Sequence, residues 1–183
     1  MIYSFNLSQV SIGLGILLGL FYGWGLWKFD ACKEWLLHAH RNYKAGLVTF
    51  VAATAWTAWL LMIMDLMEYS PQRHLFVAVV IILAILVIRY LPDYLFVRAL
   101  GVLLLLGANV LLDAAFLRDE PSKLVIVVVA YGMALKGMFL VGAPYLFRDG
   151  VAWMYQHTRR AKIMYSVGMG FAVLLLLLGV LIY

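Results

Sequence analysis

The sequence has few of the residues on which catalysis and disulfide bonding depend. Its 183 residues include one cysteine, Cys32, so no intrachain disulfide, Cys-X-X-Cys pair or cysteine-based zinc site can form. The metalloprotease, serine-hydrolase and nucleotide-binding motifs are also missing from the chain. We therefore expect the protein not to be an enzyme.

Charged residues are also scarce. They make up 13% of the chain, whereas 66% is hydrophobic and the mean hydropathy is +0.98. Soluble proteins contain about 25% charged residues and about 45–50% apolar ones. The protein is therefore predicted to be an integral membrane protein, and at roughly 20 residues per crossing its length allows about six spans in a single transmembrane domain, residues 1–183.

The predicted fold is all-α, a polytopic transmembrane helical bundle. The apolar runs predict spans at about 9–27, 45–64, 75–90, 93–117, 124–146 and 163–183. Between the first two, residues 28–44 place apolar side chains every three or four positions, which predicts an interfacial amphipathic helix. No Lys or Arg precedes the first apolar run and no cleavage pattern follows it, so we expect the first span to be retained.

The positive charges predict the orientation. The connections after the first, third and fifth spans hold ten of the fourteen Lys and Arg residues, namely Lys28, Lys33, Arg41, Lys44, Arg89, Arg98, Arg148, Arg159, Arg160 and Lys162. These connections are expected to be cytoplasmic, with both termini on the other side of an inner or plasma membrane. The net charge of +5 is therefore attributed to the basic cytoplasmic connections that orient the protein in the membrane. Nucleic-acid binding is not expected.

Lys136 lies in the middle of the predicted span 124–146. A lysine at that depth costs roughly 2.5 kcal/mol or more and normally faces the bundle interior or a water-filled cavity. We expect this helix to be central and Lys136 to be buried in a hydrogen-bonded set with Asn109 and Asp113, which lie four residues apart on the preceding span. Asp65 and Glu68 could replace them as partners.

Three roles are open to this polar set. Its members can bury one another and fix how the helices pack. They can line a hydrated path for a proton, an ion or a small solute. In the third role, Lys136 meets an acidic group on a partner subunit or a lipid.

Small residues predict where helices pack closely. Gly15, Gly19 and Gly23 recur every four residues in the first span, and Ser166 and Gly170 have the same spacing in the last. Helices lacking bulky side chains on one face can approach and gain van der Waals contact within lipid. We expect these residues to contact a neighbouring helix of the chain or another subunit, with a pore-lining face as the remaining alternative.

Three histidines, His38, His40 and His157, fall on the predicted cytoplasmic side. His38 and His40 are two residues apart and so do not share a helical face. Solvated interfacial histidines are the expected interpretation, and a haem, metal or pigment site is the alternative. No particular cofactor is predicted from the sequence.

The sequence therefore favours a non-catalytic membrane protein. We expect an accessory or scaffolding subunit of a larger membrane complex or homo-oligomer, whose partners are the lipid bilayer and other membrane subunits or itself. The first alternative is a small channel or transporter that uses Lys136, Asn109 and Asp113. The second is cofactor binding by the interfacial histidines.

Overall fold

The chain folds into a bundle of long helices. The computed structural model describes residues 5–39, 41–116 and 123–181. Within these ranges there are eight α-helices, one 3-10 helix and no strand. Six of the helices are long and apolar enough to cross a membrane. The predicted all-α class is confirmed, and the six spans are compatible with a multi-pass membrane protein.

The span helices begin and end close to the predicted positions with two exceptions: the fifth span ends early, as described below, and the last span begins five residues before the predicted start at 163. They are α1 (Leu7–Trp27), α3 (Tyr43–Ile63), α4 (Arg73–Tyr90), α5 (Leu95–Ala115), α6 (Lys123–Gly142) and α8 (Thr158–Leu181). The shorter elements are α2 (Phe29–Ala39), a 3-10 helix (Met67–Gln72) that leads into α4, and α7 (Tyr145–Tyr155).

Side chains close both ends of α3. At its start, the Asn42 side chain accepts a hydrogen bond from the Ala45 amide at 3.1 Å, which satisfies one of the free donors of the first turn. At its end, the Arg73 guanidinium donates to the Met62 carbonyl at 2.6 Å and to the Met64 carbonyl at 3.2 Å. Because a cation is favourable at a helix C-terminus, Arg73 joins the end of α3 to the start of α4.

The fifth span is shorter than its composition predicts. The sequence predicted a helix over 124–146, but α6 ends at Gly142 and Pro144 precedes the first residue of α7. Proline has no amide hydrogen and cannot continue the preceding helix, so the apolar run is divided at this point. Lys136 consequently lies six residues from the end of α6, roughly 9 Å along the axis at 1.5 Å per residue.

Helix α5, and not α6, is the centre of the bundle. In the most apolar 18-residue stretch of each span, 44% of the residues of α5 are buried, against 22% in α6 and 6% in the span that contains α4. Helix α5 packs against α6, α3 and α1. The prediction that the lysine-bearing span is central is therefore wrong. The reason is that α5 carries small residues on several sides, Ala99, Gly101, Ala108 and Ala114, so neighbours approach it from more than one direction.

The other span helices lie around α5. Helices α1 and α8 form a close pair, and α4 lies at the edge, with no buried residue and with α3 and the 3-10 helix as its main contacts. Helix α4 is rich in Val and Ile and has no charged residue between His74 and Arg89, and this composition suits a lipid-facing surface.

Helix α2 has the predicted amphipathic form over a shorter range. It buries Cys32, Leu36 and Ala39, which recur at the spacing of one helical face. Cys32 and Leu36 pack with residues of α7 and α8, so α2 covers the end of the bundle.

Candidate functional site

The Lys136 side chain is exposed. Helix α6 turns Ile126, Ala130 and Gly137 inward, and all three are buried. Lys136 directly precedes Gly137 and is therefore rotated by about 100° from the contact face. Among the described residues no hydrogen bond or ion pair to Lys136 is formed, and its side chain is exposed. The predicted burial of Lys136 inside the bundle is wrong.

The α5–α6 contact sets the level of Lys136 in the bundle. Gly101 and Gly137 pack so closely that a Cβ added to Gly101 would lie 2.8 Å from the Gly137 carbonyl oxygen. A Cβ on Gly137 would lie 3.0 Å from Leu105 Cγ. The two helices run antiparallel, so Lys136 is level with about Leu105 of α5.

The predicted polar set does not assemble around Lys136. Asn109 is four residues beyond Leu105, roughly 6 Å further along the axis, and it is exposed. Asp113 is eight residues beyond Leu105, roughly 12 Å away, and is half-buried. Neither is therefore a partner of Lys136, and the prediction is wrong on this point. The close approach of the glycines, and not a polar pair, determines the register of these two helices.

The substitute partners Asp65 and Glu68 lie at the opposite end of the bundle. Both are exposed in the connection between α3 and α4, and Glu68 lies within the 3-10 helix. Asp65 Oδ1 accepts a hydrogen bond from the Met67 amide at 3.1 Å, and Met67 adopts a positive φ of 48°. The chain thus turns between the end of α3 and the 3-10 helix. Their predicted roles as buried partners of Lys136 are wrong.

The predicted glycines of α1 face α8. A Cβ on Gly15 would lie 3.1 Å from the Ala172 carbonyl oxygen, one on Gly19 would lie 3.9 Å from Ala172 Cβ, and one on Gly23 would lie 3.7 Å from Met169 Cε. Of these three glycines, Gly15 is the nearest to α8, and Gly19 and Gly23 have room for a methyl group.

Ser166 and Gly170 do not lie on the face of α8 that packs within the chain, and their contact with another subunit stays a prediction. Ser166 and Gly170 are both exposed, and a Cβ on Gly170 would meet nothing within 4 Å. Helix α8 instead buries Tyr165, Ala172 and Leu175. These residues are spaced by seven and three positions, so they form one helical stripe that the pair Ser166 and Gly170 does not share.

Two serines that sequence reasoning missed bond α1 to α8. Ser11 is fully buried and donates from Oγ to the Leu175 carbonyl at 2.7 Å. One turn earlier, Ser8 Oγ donates to the Gly179 carbonyl at 2.6 Å. Ser8, Ser11 and Gly15 form a small-residue stripe at three- and four-residue spacing, and this signal could have identified them.

A buried hydrogen-bond chain links α2, α7 and α8. Cys32 Sγ lies 3.2 Å from Tyr165 Oη, which lies 2.5 Å from Tyr155 Oη. Burial raises the pKa of Tyr155 to about 12. The three polar groups satisfy one another within an apolar cluster, so the arrangement is structural. It was not predicted from the sequence, because Cys32 and Tyr165 are 133 residues apart.

The three most basic connections meet at one end of the bundle. A hollow of about 570 Å³, here called the basic hollow, takes its walls from the connection after α2, the connection after α4 and the first turn of α7. Its lining residues are Arg41, Asn42, Tyr43, Pro92, Asp93, Tyr94, Leu95 and Arg148. The segments after the first, third and fifth spans thus share one end of the bundle. That this end faces the cytoplasm stays a prediction.

Arg148 is held in place at the edge of the basic hollow. Its Nε donates to Asp149 Oδ1 at 2.8 Å, and its Nη1 donates to the Tyr94 hydroxyl at 3.4 Å. The hydrogen bond to Asp149 raises the pKa of Arg148 above its ordinary value. Tyr94 has a φ of 59°, a left-handed conformation that bulky residues rarely adopt.

A second large hollow is an apolar groove of about 620 Å³. It runs between α1 and α5, with Trp56 of α3 and Met133 of α6 at its edges, and Gln9 and Trp56 are its few polar lining residues. Neither this groove nor the basic hollow is lined by Lys136, Asn109 or Asp113. The two larger cavities therefore give no support to transport through that predicted set.

The histidines do not form a cluster in the described chain. His38 is exposed, and its Nδ1 lies 2.8 Å from the Glu34 carbonyl oxygen. His157 is exposed between α7 and α8, and His40 lies outside the described residues. Within the described ranges, no three His, Cys, Asp or Glu side chains come together as metal ligands.

The chain was also compared with known proteins. No family model matches it, and neither a curated protein nor a solved structure shows significant similarity to it. The functional argument therefore depends on its own residues.

Proposed function

We propose that this protein is a non-catalytic subunit of a hetero-oligomeric membrane complex. In this proposal the outward side of α6 contacts a transmembrane helix of a partner protein. We name this side the α6 outer face and define it by five exposed residues, Val128, Gly132, Leu135, Lys136 and Phe139. The observation that supports it is the exposure of Lys136 within a span, without an internal partner.

The charge is unfavourable in lipid. A lysine inside the hydrocarbon costs roughly 2.5–3.5 kcal/mol near the centre of a span. The Lys136 ammonium group is hindered from reaching the nearer membrane interface, which lies beyond Gly142. Helical side chains lean toward the N-terminus of their helix, and in α6 that direction is away from Gly142. A carboxylate on a packed neighbouring helix offsets this cost, since opposite charges attract strongly in a medium of low dielectric constant.

The surface beside Lys136 suits a close helix contact. Gly132 lies one turn before Lys136, in the direction in which the lysine leans, and a Cβ there would meet nothing within 4 Å. An open glycine lets another backbone approach closely. The flanking Leu135 and Phe139 are 54% and 60% exposed, so apolar area is available around the charge.

A second copy of this chain is not the partner of Lys136. Closed rotational symmetry about the membrane normal keeps every residue at its own depth. Asp113 is roughly 12 Å from the level of Lys136, and Asp93 and Asp149 lie outside the span helices. No described carboxylate would therefore reach the lysine of a copy in the same orientation. The partner is a different chain that carries Asp or Glu at this depth.

Co-purification tests this function. The full-length tagged protein is extracted in a mild detergent from its native membrane, and the co-eluting proteins are identified by mass spectrometry. We expect one multi-pass or single-pass membrane protein in a fixed ratio to the chain. Lys136→Leu should reduce its recovery at least tenfold, and Lys136→Arg should retain it because the charge is kept.

The control lies on a different helix. Ile82 of α4 is 56% exposed and is not part of the α6 outer face, so Ile82→Val should leave recovery unchanged. Wild-type protein that elutes alone or only with itself would contradict the proposal. So would a partner that Lys136→Leu retains at the wild-type level.

A further inference from the structure

The basic hollow has the chemistry of an anion site. Arg41 and Arg148 contribute guanidinium groups, Asn42 contributes an amide, and Asp93 is the opposing charge among the lining residues. Arginine presents several donors in a planar fork that matches phosphate oxygens. Ten of the fourteen Lys and Arg residues lie in the three segments 28–44, 89–98 and 148–162, which meet at this end of the bundle, so the surrounding potential is positive as well.

Arg148 is oriented for binding at this edge. Asp149 occupies its Nε and its Nη2, both at 2.8 Å, and this leaves Nη1 directed at Tyr94, which lines the hollow. Tyr94 lines the hollow beside the guanidinium. An anion in the hollow would thus meet preoriented groups from α5 and α7 together with Arg41 from the connection after α2.

A smaller hollow of about 460 Å³ adjoins the basic one. The two share Tyr43 and Pro92, and the smaller one is also lined by Arg89, Ile85 and Ile88 of α4. Ile85 is 60% exposed on a helix without a buried residue. The polar site therefore continues directly onto an apolar surface of the kind that faces acyl chains.

We propose that the basic hollow binds the phosphate of an anionic phospholipid, with an acyl chain lying along Ile85 and Ile88 of α4. Basic pockets between membrane helices commonly bind such headgroups. A soluble phosphate would use the arginines alone, whereas a phospholipid also uses the apolar hollow. This site is independent of the α6 outer face and of the proposed partner.

Native mass spectrometry of the full-length protein tests the site. The protein in detergent is titrated with phosphatidylglycerol, with phosphatidylcholine or with glycerol phosphate, and the bound copies are counted. We expect one saturable phosphatidylglycerol, little phosphatidylcholine and little glycerol phosphate. The double variant Arg41→Gln, Arg148→Gln should weaken phosphatidylglycerol binding about thirtyfold, since each basic residue near an anionic lipid contributes roughly a fivefold change.

Two further variants make the result specific. Arg159→Gln, Arg160→Gln removes the same charge from the same end but outside the hollow, and should change binding less than threefold. Ile85→Ala, Ile88→Ala should weaken phosphatidylglycerol binding while leaving glycerol phosphate binding unchanged. Circular dichroism spectra of all variants should match the wild type.

Three outcomes would overturn the proposal. Glycerol phosphate that binds as tightly as phosphatidylglycerol would assign the site to a soluble phosphate. Equal binding of phosphatidylcholine would show that the anionic headgroup is not recognised. An equal loss in the Arg159 and Arg160 variant would show a general charge effect without a site in the hollow.

Discussion

The α1–α8 and α5–α6 pairs use similar packing but place their polar groups differently. Both pairs bring small residues into close contact, Gly15 against α8 in one and Gly101 against Gly137 in the other. In the first pair the polar side chains Ser8 and Ser11 point inward and bond to backbone carbonyls of α8. In the second pair Asn109 and Lys136 are exposed.

This difference separates two kinds of polar residue in a membrane helix. A polar group that bonds within the chain fixes helix packing and needs nothing else. A charged group that the fold turns outward needs a partner that the chain itself does not supply.

The largest effect is expected where the α5–α6 contact is closest. Gly101→Leu places a side chain where a Cβ alone would lie 2.8 Å from the Gly137 carbonyl oxygen. The helices must separate, and we expect a loss of about 3 kcal/mol in unfolding free energy, at the upper end for overpacking. Reversible unfolding in mixed micelles measures it. Gly132→Leu is the control, and an equal loss in that variant would show that the contact is misplaced.

The next effect concerns the exposed lysine. Lys136→Leu should favour membrane insertion of the isolated α6 segment by about 2 kcal/mol, because the variant removes a charge from the hydrocarbon. A glycosylation-based insertion assay measures the change. Unchanged insertion would show that Lys136 already lies at the interface, and the contrast between the two helix pairs would then disappear.

The buried serine of the α1–α8 pair should have a smaller effect. Ser11→Ala removes the hydrogen bond to Leu175 and should cost about 1 kcal/mol, within the range measured between membrane helices. Thermal unfolding in detergent measures the difference. The exposed Ser166 offers a matched change on α8, and Ser166→Ala should be neutral. If both variants are neutral, the inward polar groups do not stabilise the pair.

A final effect appears only at alkaline pH. The pKa of Tyr155 is raised to about 12 in the folded protein, so its stabilising contribution is complete below pH 10 and falls as the pH rises toward 12. Absorbance at the tyrosinate band and unfolding across this pH range measure it. Tyr155→Phe should reduce the decline in stability. A decline that is identical in both proteins would show that Tyr155 does not contribute to it.

Much of the architecture could be predicted from the sequence. The apolar runs gave the six spans, and the spacing of Cys32 and Ala39 gave the amphipathic α2. The early end of the fifth span could also have been predicted, because Pro144 can begin a helix but cannot continue one.

The surroundings of the polar residues could not be predicted in the same way. Whether Lys136 points inward depends on which face of α6 meets α5, and that depends on the packing of Gly101 against Gly137. Gly101 and Gly137 lie on different helices, and both have to be placed before the orientation of Lys136 is known. The hydrogen bonds of Cys32 with Tyr165 and of Ser11 with Leu175 join distant parts of the chain for the same reason.

Photocrosslinking in the native membrane tests most directly whether Lys136 meets another protein. A photoreactive amino acid replaces Leu135, which lies beside Lys136 on the α6 outer face, and the buried Leu140 position is the control. The account predicts that position 135 crosslinks to a transmembrane segment of a different protein that carries an Asp or Glu at the same depth. Crosslinks only to lipid, or only to another copy of this chain, would contradict it.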